Sequence, residues 1–290
     1  MAPNGLPGFV GGALWARLGV SPRASAASAA SAAAAASKPG QQRRCRTVQV
    51  SGAEHDLWRL RPIIEMLQDP SLNAVGILPT DTSYAFVCNV RSRTGVERIY
   101  ALKRATPSLR KPLSLLCRDH ASIQCYSVGI DRSTFRVLKM LLPGPYTFIL
   151  PASSAVPRVL LESREHRKLW RRKEVGVRWP GDVPCQAVLD GMDGVALLAS
   201  SVPEQDTEGS ALAQDPMRMH DEWAGRVDFI VDAGFRAAHG CSTVVDVGRD
   251  WEILRCGAGY HALMQALGRD VPGQACEAQP MEPTDQRWLA

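Results

Sequence analysis

Leu-Pro-Gly-Pro-Tyr-Thr-Phe-Ile-Leu, residues 142–150, is the stretch of this sequence that decides the fold. Its first half cannot continue a helix, because two prolines flank a glycine. Its second half, from Tyr146, is aromatic and β-branched and predicts a buried strand. Residues 131–142 have helical periodicity, so they predict a helix that stops at Pro143. A helix, a tight turn and a buried strand in this order indicate an α/β fold.

Four further segments combine an apolar, strand-like run with polar, glycine or proline residues. They are Pro79–Tyr84, Lys111–Leu113, Gly176–Pro180 and Ser242–Asp246. Open α/β sheets place their ligand sites where strands end. We therefore expect the five segments to meet in one concave ligand site.

Periodicity predicts strands mingled with helices along the rest of the chain. Strands are expected at 74–78, 84–88, 113–117, 146–150, 175–178, 195–198, 228–231 and 243–247. Helices are expected at 56–68, with Pro62 delaying the start, and at 94–102, 131–142, 184–192 and 260–267. Several connections are too short for parallel crossovers. We expect one α/β domain at 54–268, with a twisted mixed parallel and antiparallel sheet flanked by helices.

Composition supports a single folded domain with extensions at both ends. The chain has 290 residues and 45% hydrophobic content, enough for one sizeable core. Its apolar runs fall short of the roughly 18 residues that span a bilayer, so no membrane partner is expected. Residues 269–290 contain three prolines and little periodicity, and we expect them to form a C-terminal tail.

The first 46 residues differ in composition from the remainder. They contain six basic residues and no Asp or Glu, and residues 24–37 are purely Ala and Ser. This composition is typical of an organellar transit peptide, here of the chloroplast or alternatively the mitochondrion, and is expected to be disordered. An untargeted low-complexity tail is the other interpretation. Without the leader the formal net charge changes from +5 to −1, because 28 basic residues then face 29 acidic ones.

Cysteines and a basic stretch have ordinary explanations. The eight cysteines show no paired spacing, so reduced core thiols are favoured over a disulfide framework. Cys117, His120 and Cys125 lack a fourth ligand at zinc spacing, and no metal ligand is predicted. Residues 162–173 carry six basic groups against two acidic ones. A solvated loop or helix face is favoured there over an RNA contact.

In this order the five segments resemble the YrdC-like family of threonylcarbamoyl-AMP synthases, and residues 142–150 with Val175–Arg178 look closest to its YciO-like branch. The resemblance covers roughly residues 60–262. It implies a YrdC-like domain and an L-threonylcarbamoyladenylate synthase, a nucleotidyltransferase. Such an enzyme makes threonylcarbamoyl-AMP from threonine, bicarbonate and ATP for N6-threonylcarbamoyladenosine in tRNA. The resemblance also implies Mg²⁺ on the triphosphate, a partner threonylcarbamoyl transferase, and contact with tRNA or double-stranded RNA.

The resemblance implies roles for individual residues as well. Lys103 and Ser201 would be catalytic, since a flexible cation can follow charge between a carbamate and a phosphate. The substrate-binding residues would be Thr80, Asp81, Thr82, Tyr84 and Thr147. The nucleotide-binding residues would be Arg104, Lys111, Arg178, Ser200, Ser242, Thr243 and Arg255. Structural alternatives exist, because Thr80 and Asp81 suit a turn and Lys103 suits the C-terminal end of a helix.

Two positions depart from the family pattern. Ala105 stands where the arginine of a Lys-x-Arg pair belongs, which leaves Arg104 as a shifted substitute. Pro203 stands where a Ser-x-Asn signature has asparagine, and proline supplies neither an amide side chain nor a backbone N–H. Both departures favour an alternative function, a catalytically weakened nucleotide- or double-stranded-RNA-binding module of the same fold. A different adenylating or carbamoylating enzyme is a third alternative.

Overall fold

The computed structural model describes residues 44–103, 112–165, 168–171, 173–203, 214–236 and 241–270, with the side chains of 162–172 left out. The predictions made for the leader before residue 44, for Arg104, Ala105 and Lys111, and for the tail after residue 270 lie outside this part of the chain.

Ten of the strands in the described residues form one mixed sheet, and two form a separate pair. In chain order they are β1 Arg46–Gln49, β2 Val75–Leu78, β3 Ala85–Asn89, β4 Ser114–Leu116, β5 Tyr146–Pro151, β6 Glu162–Glu165, β7 Lys168–Arg171, β8 Glu174–Arg178, β9 Leu197–Ser201, β10 Phe229–Asp232, β11 Thr243–Asp246 and β12 Glu252–Arg255. The large sheet has the order β1-β10-β2-β3-β9-β4-β8-β5-β11-β12. Parallel and antiparallel pairs both occur in it, as the sequence predicted.

Eight α-helices in the same residues flank the sheet. They are α1 Arg61–Gln68, α2 Arg93–Leu102, α3 His120–Tyr126, α4 Arg132–Leu141, α5 Arg158–Leu161, α6 Val183–Gly191, α7 Pro216–Trp223 and α8 Tyr260–Ala266. Several begin at an Asp or Ser whose side chain accepts a hydrogen bond from a first-turn amide, as Ser92, Asp131 and Asp182 do. None of the described helices is both long and apolar enough to cross a membrane.

Apolar side chains are buried around the sheet. The main cluster includes Phe86 and Phe148 from central strands, and Phe86 meets Trp223 of α7 edge to face with ring centroids 5.1 Å apart. The buried side of α1 packs against α6. A Cβ on Gly191 would lie 2.8 Å from Ile64 Cδ1, so the absence of a side chain lets the two helices approach.

Some elements differ from the sequence predictions. β1 precedes residue 54, the expected start of the domain. It is an edge strand of the large sheet and pairs in parallel with β10. The charged stretch forms the β6–β7 pair, with Glu162 opposite Arg171, so the predicted loop or helix is wrong. Its residues are mostly charged, and charged residues are poor indicators of strands. Cys256 is disulfide-bonded, whereas the other cysteines of the described residues are free.

Candidate functional site

An ion pair joins two loops from distant strands. Arg178 ends β8, and its Nη2 lies 2.9 Å from Oδ1 of Asp81, which follows β2. The same Nη2 donates to Thr82 Oγ1 at 3.2 Å, and the Gly181 amide donates to Asp81 Oδ2 at 2.8 Å. Three strands lie between β2 and β8 in the sheet. In a flat sheet with about 4.8 Å between neighbouring strands, β2 and β8 would be about 19 Å apart. The pair therefore holds the turn after β2 against the end of β8.

The turn between β2 and β3 organises its own hydroxyls. Thr80 Oγ1 lies 3.2 Å from Thr82 Oγ1, and the Thr80 amide donates to the Ser83 carbonyl at 3.1 Å. Only 1% of Thr80 is exposed, so its hydroxyl shapes the turn. Thr82 connects this turn to Arg178. The contacts of Thr80 are those of a turn residue, as the structural alternative expected. Asp81 and Thr82 instead contact the guanidinium of Arg178.

Tyr84 lies in the core beside this turn. Its hydroxyl donates to the Gly234 carbonyl at 2.8 Å and accepts from the Ala233 amide at 3.0 Å. Burial raises the pKa of Tyr84 to about 12. Because the ring is fully buried and its hydroxyl is engaged by backbone, Tyr84 fixes the loop after β10. Its substrate-binding role stays a prediction.

Lys103 is held at the end of β9. Its Nζ donates to Ser200 Oγ at 2.9 Å and to the Ser201 carbonyl at 3.1 Å. Lys103 is the C-terminal cap of α2, as its sequence position suggested. Ser201 pairs with Ala85 across β9 and β3, and the Val202 amide donates to the Tyr84 carbonyl at 3.0 Å. These contacts place the Lys103 ammonium group at the end of β9, the strand that pairs with β3 after the Thr80–Thr82 turn.

A second hydroxyl and cation group lies at the start of β11. Ser242 Oγ is 2.9 Å from Thr147 Oγ1 and accepts from Arg255 Nη2 at 3.0 Å. Arg255 Nε also donates to the Ser242 carbonyl at 3.0 Å. Thr243 has a different role, because its hydroxyl donates to the Ala258 carbonyl at 2.9 Å and accepts from the Gly257 amide at 3.1 Å. These contacts give Thr243 a structural role, and its nucleotide contact stays a prediction.

Gly176 connects the two groups across β8. A Cβ on Gly176 would lie 3.3 Å from Thr147 Cγ2 and 3.4 Å from Ser114 Oγ, so the glycine lets these two side chains pack closely over β8. Arg178 is two residues further along the same strand and therefore points to the same face. Thr147, Gly176 and Arg178 consequently line one surface.

Two charged residues beside the site, Asp182 and Arg236, are not among those that the sequence predicted. Nη1 of Arg236, after β10, lies 2.6 Å from Oδ2 of Asp182, which caps α6 beside Gly181. Burial raises the pKa of Asp182, and the Arg236 guanidinium opposes that shift. Asp182 could have been recognised as a helix cap before Pro184. The partner of Arg236 is remote in sequence, so no local pattern indicates it.

The comparisons with known proteins agree with this fold. The Sua5/YciO/YrdC family model, described as telomere recombination, matches residues 71–257, which is more than half of the 290 residues. The chain belongs to the Sua5/YciO/YrdC family. This confirms the resemblance drawn from the five segments.

Relatives within the family include uncharacterized and named proteins. Escherichia coli YciO, an uncharacterized protein, is 31% identical over 178 residues, covering 61% of this chain and 80% of that protein. Its crystal structure matches with a TM-score of 0.56 over 70% of this chain and 90% of that one, at 28% identity. Threonylcarbamoyl-AMP synthase of Nitrosococcus oceani is 27% identical over 198 residues, covering 68% of this chain and 97% of that protein.

A third relative shares the fold at lower identity. The crystal structure of Pyrococcus abyssi Sua5 complexed with L-threonine matches with a TM-score of 0.62 and 21% identity, covering 82% of this chain and 67% of that one. The α/β fold predicted from the sequence is thus that of Sua5 and YciO.

Proposed function

We propose that this protein is an L-threonylcarbamoyladenylate synthase, which makes threonylcarbamoyl-AMP from threonine, bicarbonate and ATP. The observation that carries the proposal is the position of Lys103, whose ammonium group is held by Ser200 and Ser201 beside the turn that contains Asp81 and Thr82. The synthases among the relatives support the same reaction class.

The reaction needs two bond-forming steps. The amine of threonine takes up bicarbonate to give a carbamate, with loss of water. A carbamate oxygen then attacks the α-phosphorus of ATP, and pyrophosphate leaves. Negative charge moves from the carbamate to the phosphates in the second step, and Lys103 can follow it because its ammonium ends a flexible stem. Lys103 is therefore the catalytic residue of the proposal, with Ser201 holding it through the backbone.

Arg178 is suited to an anionic group of the substrate. Its side chain is 8% exposed, and its Nε is buried without a hydrogen-bond partner among the described residues. A buried donor that lacks a partner destabilises a protein by about 1 to 3 kcal/mol, and a ligand oxygen can remove that cost. We assign Arg178, with Thr82, to the threonine or carbamate carboxylate. The Sua5 structure with bound L-threonine supports a threonine site in this fold.

Ser242 and Arg255 are assigned to the phosphates. The serine fixes the guanidinium by two contacts of 3.0 Å, and a preorganised guanidinium binds phosphate oxygens strongly. The Thr147 hydroxyl lies 2.9 Å from the Ser242 hydroxyl and holds it in position. Arg104 and Lys111 remain proposals for further phosphate contacts.

Mg²⁺ would come with the triphosphate and would neutralise part of its charge. The chain's own carboxylate nearest the site does not fit as a ligand, because both oxygens of Asp81 are engaged by Arg178 and Gly181. Among the described residues no group of three or more His, Cys, Asp or Glu side chains is arranged to hold a metal ion.

A second function is favoured by one observation, the proline at position 203. It directly follows Val202, whose amide donates to the Tyr84 carbonyl just beyond the end of β9, and it offers neither an amide side chain nor an N–H. A site with this gap could bind a nucleotide or double-stranded RNA without efficient turnover.

For the synthase we also propose a partner transferase, a product that is used to modify tRNA, and delivery to the chloroplast, or alternatively the mitochondrion, by residues 1–46.

The test is pyrophosphate release by the purified full chain. We expect release that requires ATP, threonine and bicarbonate together, and loss of at least about 100-fold in Lys103→Ala. Lys139→Ala, which removes a lysine from α4, is the matched control and should be as active as wild type. Binding of duplex RNA with steep salt dependence, without threonine-dependent release, would favour the second function.

A further inference from the structure

The connection between β10 and β11 has to cross the sheet. Residues 233–242 join these strands, which are seven strand spacings apart in the sheet order. The spacings amount to about 34 Å in a flat sheet, and an extended chain advances at most about 3.6 Å per residue. The structure describes residues 233–236 and 241–242 of this connection.

Its first part, residues 233–236, is called the strap here and is firmly attached. Tyr84 holds two strap residues through its hydroxyl, and the Gly234 amide donates to Asp232 Oδ1 at 2.8 Å. At the far end the Arg236 amide donates to the Gln214 carbonyl at 2.9 Å, and its guanidinium lies 2.6 Å from Asp182. Both neighbours of Phe235 are therefore fixed by the rest of the protein.

The end of the strap lies beside the candidate site. Asp182 follows Gly181, whose amide donates to Asp81, and Asp81 pairs with Arg178. The Arg236–Asp182 contact therefore places the end of the strap beside the cluster that we assign to an anionic substrate group.

Phe235 is 68% exposed on this fixed segment. Single exposed apolar residues are common on protein surfaces, and Trp58, at 60%, is one of them. Phe235 differs because hydrogen bonds on both sides hold its backbone beside a polar site. A ring held in this way can stack on a flat ligand with little further loss of conformational freedom.

We propose that Phe235 is the nucleobase platform of this site and stacks on the purine ring of the bound nucleoside triphosphate. The inference rests on the proposed function, which places the triphosphate at Ser242 and Arg255. Threonine and bicarbonate have no flat ring, whereas a purine presents a π-face to any aromatic side chain. Stacking needs no hydrogen-bond pattern, so this contact gives affinity for the base while the cationic groups hold the phosphates.

The test compares ATP with inorganic tripolyphosphate, which carries the charge without the base. Calorimetric titration of the full chain should show ATP bound about tenfold more weakly by Phe235→Ala, with tripolyphosphate affinity unchanged. Phe235→Trp should bind ATP at least as tightly as wild type. Trp58→Ala, which removes an exposed aromatic residue outside the strap, should change neither affinity.

Unchanged ATP affinity in Phe235→Ala would overturn the inference, and so would equal weakening of both ligands, which would mean that the ring only supports the strap. If wild type binds ATP but releases no threonine-dependent pyrophosphate, the proposed function fails while the base-stacking result stands by itself. If wild type binds no ATP, both fail.

Discussion

The guanidinium of Arg178 lies 2.9 Å from the carboxylate of Asp81, although three strands separate β8 from β2 in the sheet. The side chains of the pair are only 8% and 12% exposed. Contact between them requires the sheet and the loops at its strand ends to be in place. The pair is therefore an anchor of the candidate site.

Removing one partner of this pair should be more harmful than removing both. Arg178→Met keeps most of the side-chain volume but leaves Asp81 charged and buried, so we expect the free energy of unfolding to fall by about 3 kcal/mol. In the double variant Asp81→Asn, Arg178→Met, the free energy of unfolding should fall by clearly less than the sum of its falls in the two single variants. Denaturant unfolding of the four proteins measures this, and additive losses would show that the two groups do not couple.

Ser242 and Thr243 are adjacent, yet their substitution should have different effects. Ser242→Ala removes the hydroxyl that fixes Arg255, so the KM for ATP should rise about tenfold. Thr243→Val removes only bonds to the backbone at 257 and 258, so it should lower the free energy of unfolding by about 1 to 2 kcal/mol with KM unchanged. The reverse pattern, with KM sensitive to Thr243 alone, would contradict the assignment.

Asp190 makes stability depend on pH. Burial in α6 raises its pKa to about 6, with Arg118 opposing and Asp119 adding to the shift. Since the folded pKa lies above the unfolded one, the carboxyl is neutral in both states at pH 3, and ionisation destabilises the fold as pH rises through about 4 to 6. Asp190→Asn should therefore raise the free energy of unfolding at pH 7.5 by about 1 kcal/mol, after allowance for solvent screening, and leave it unchanged at pH 3.

The control for this experiment is Asp221→Asn, which removes a carboxylate whose side chain is 79% exposed on α7. It should shift stability by less than about 0.5 kcal/mol at either pH. A stabilisation by Asp190→Asn that is equal at the two pH values would show that the effect comes from packing and not from ionisation.

Replacement of Pro203 should raise turnover. Pro203→Asn adds an amide side chain and a backbone N–H at the end of β9, so we expect kcat/KM for ATP to rise severalfold, up to about tenfold for one well-placed hydrogen bond. Val202→Ala at the preceding buried position adds no polar group and serves as the control. Steady-state kinetics that show no gain, or a loss, would indicate that the surrounding backbone excludes the amide.

The sequence predicts most of the sheet because its central strands are continuous apolar runs next to clear turn residues. β2, β5 and β11 fall within two residues of their expected bounds. β1 was missed because Arg46–Gln49 has the exposed pattern of an edge strand, and its place is decided by pairing with β10. The β6–β7 pair was missed for a related reason, since its residues are mostly charged.

The candidate site divides in the same way. Asp81 and Lys103 stand out locally, the first in a strand-end turn and the second at a helix end. Their partners Arg178 and Ser200 are 97 positions distant along the chain, and only the folded sheet brings each pair together. The sequence indicates least about the contacts of hydroxyl groups. Those of Thr243 and Tyr84 bond to backbone groups of residues that are distant in the sequence.

The central claim is that this chain joins the carbamate of threonine to AMP, and the most direct test is to detect that product. The full chain is incubated with ATP, threonine and ¹³C-bicarbonate, and the nucleotides are analysed by mass spectrometry. The account predicts an AMP adduct that carries both threonine and the label, and that is absent with Lys103→Ala. ATP consumption without a labelled adduct, or an equal yield of it from Lys103→Ala, would contradict the account.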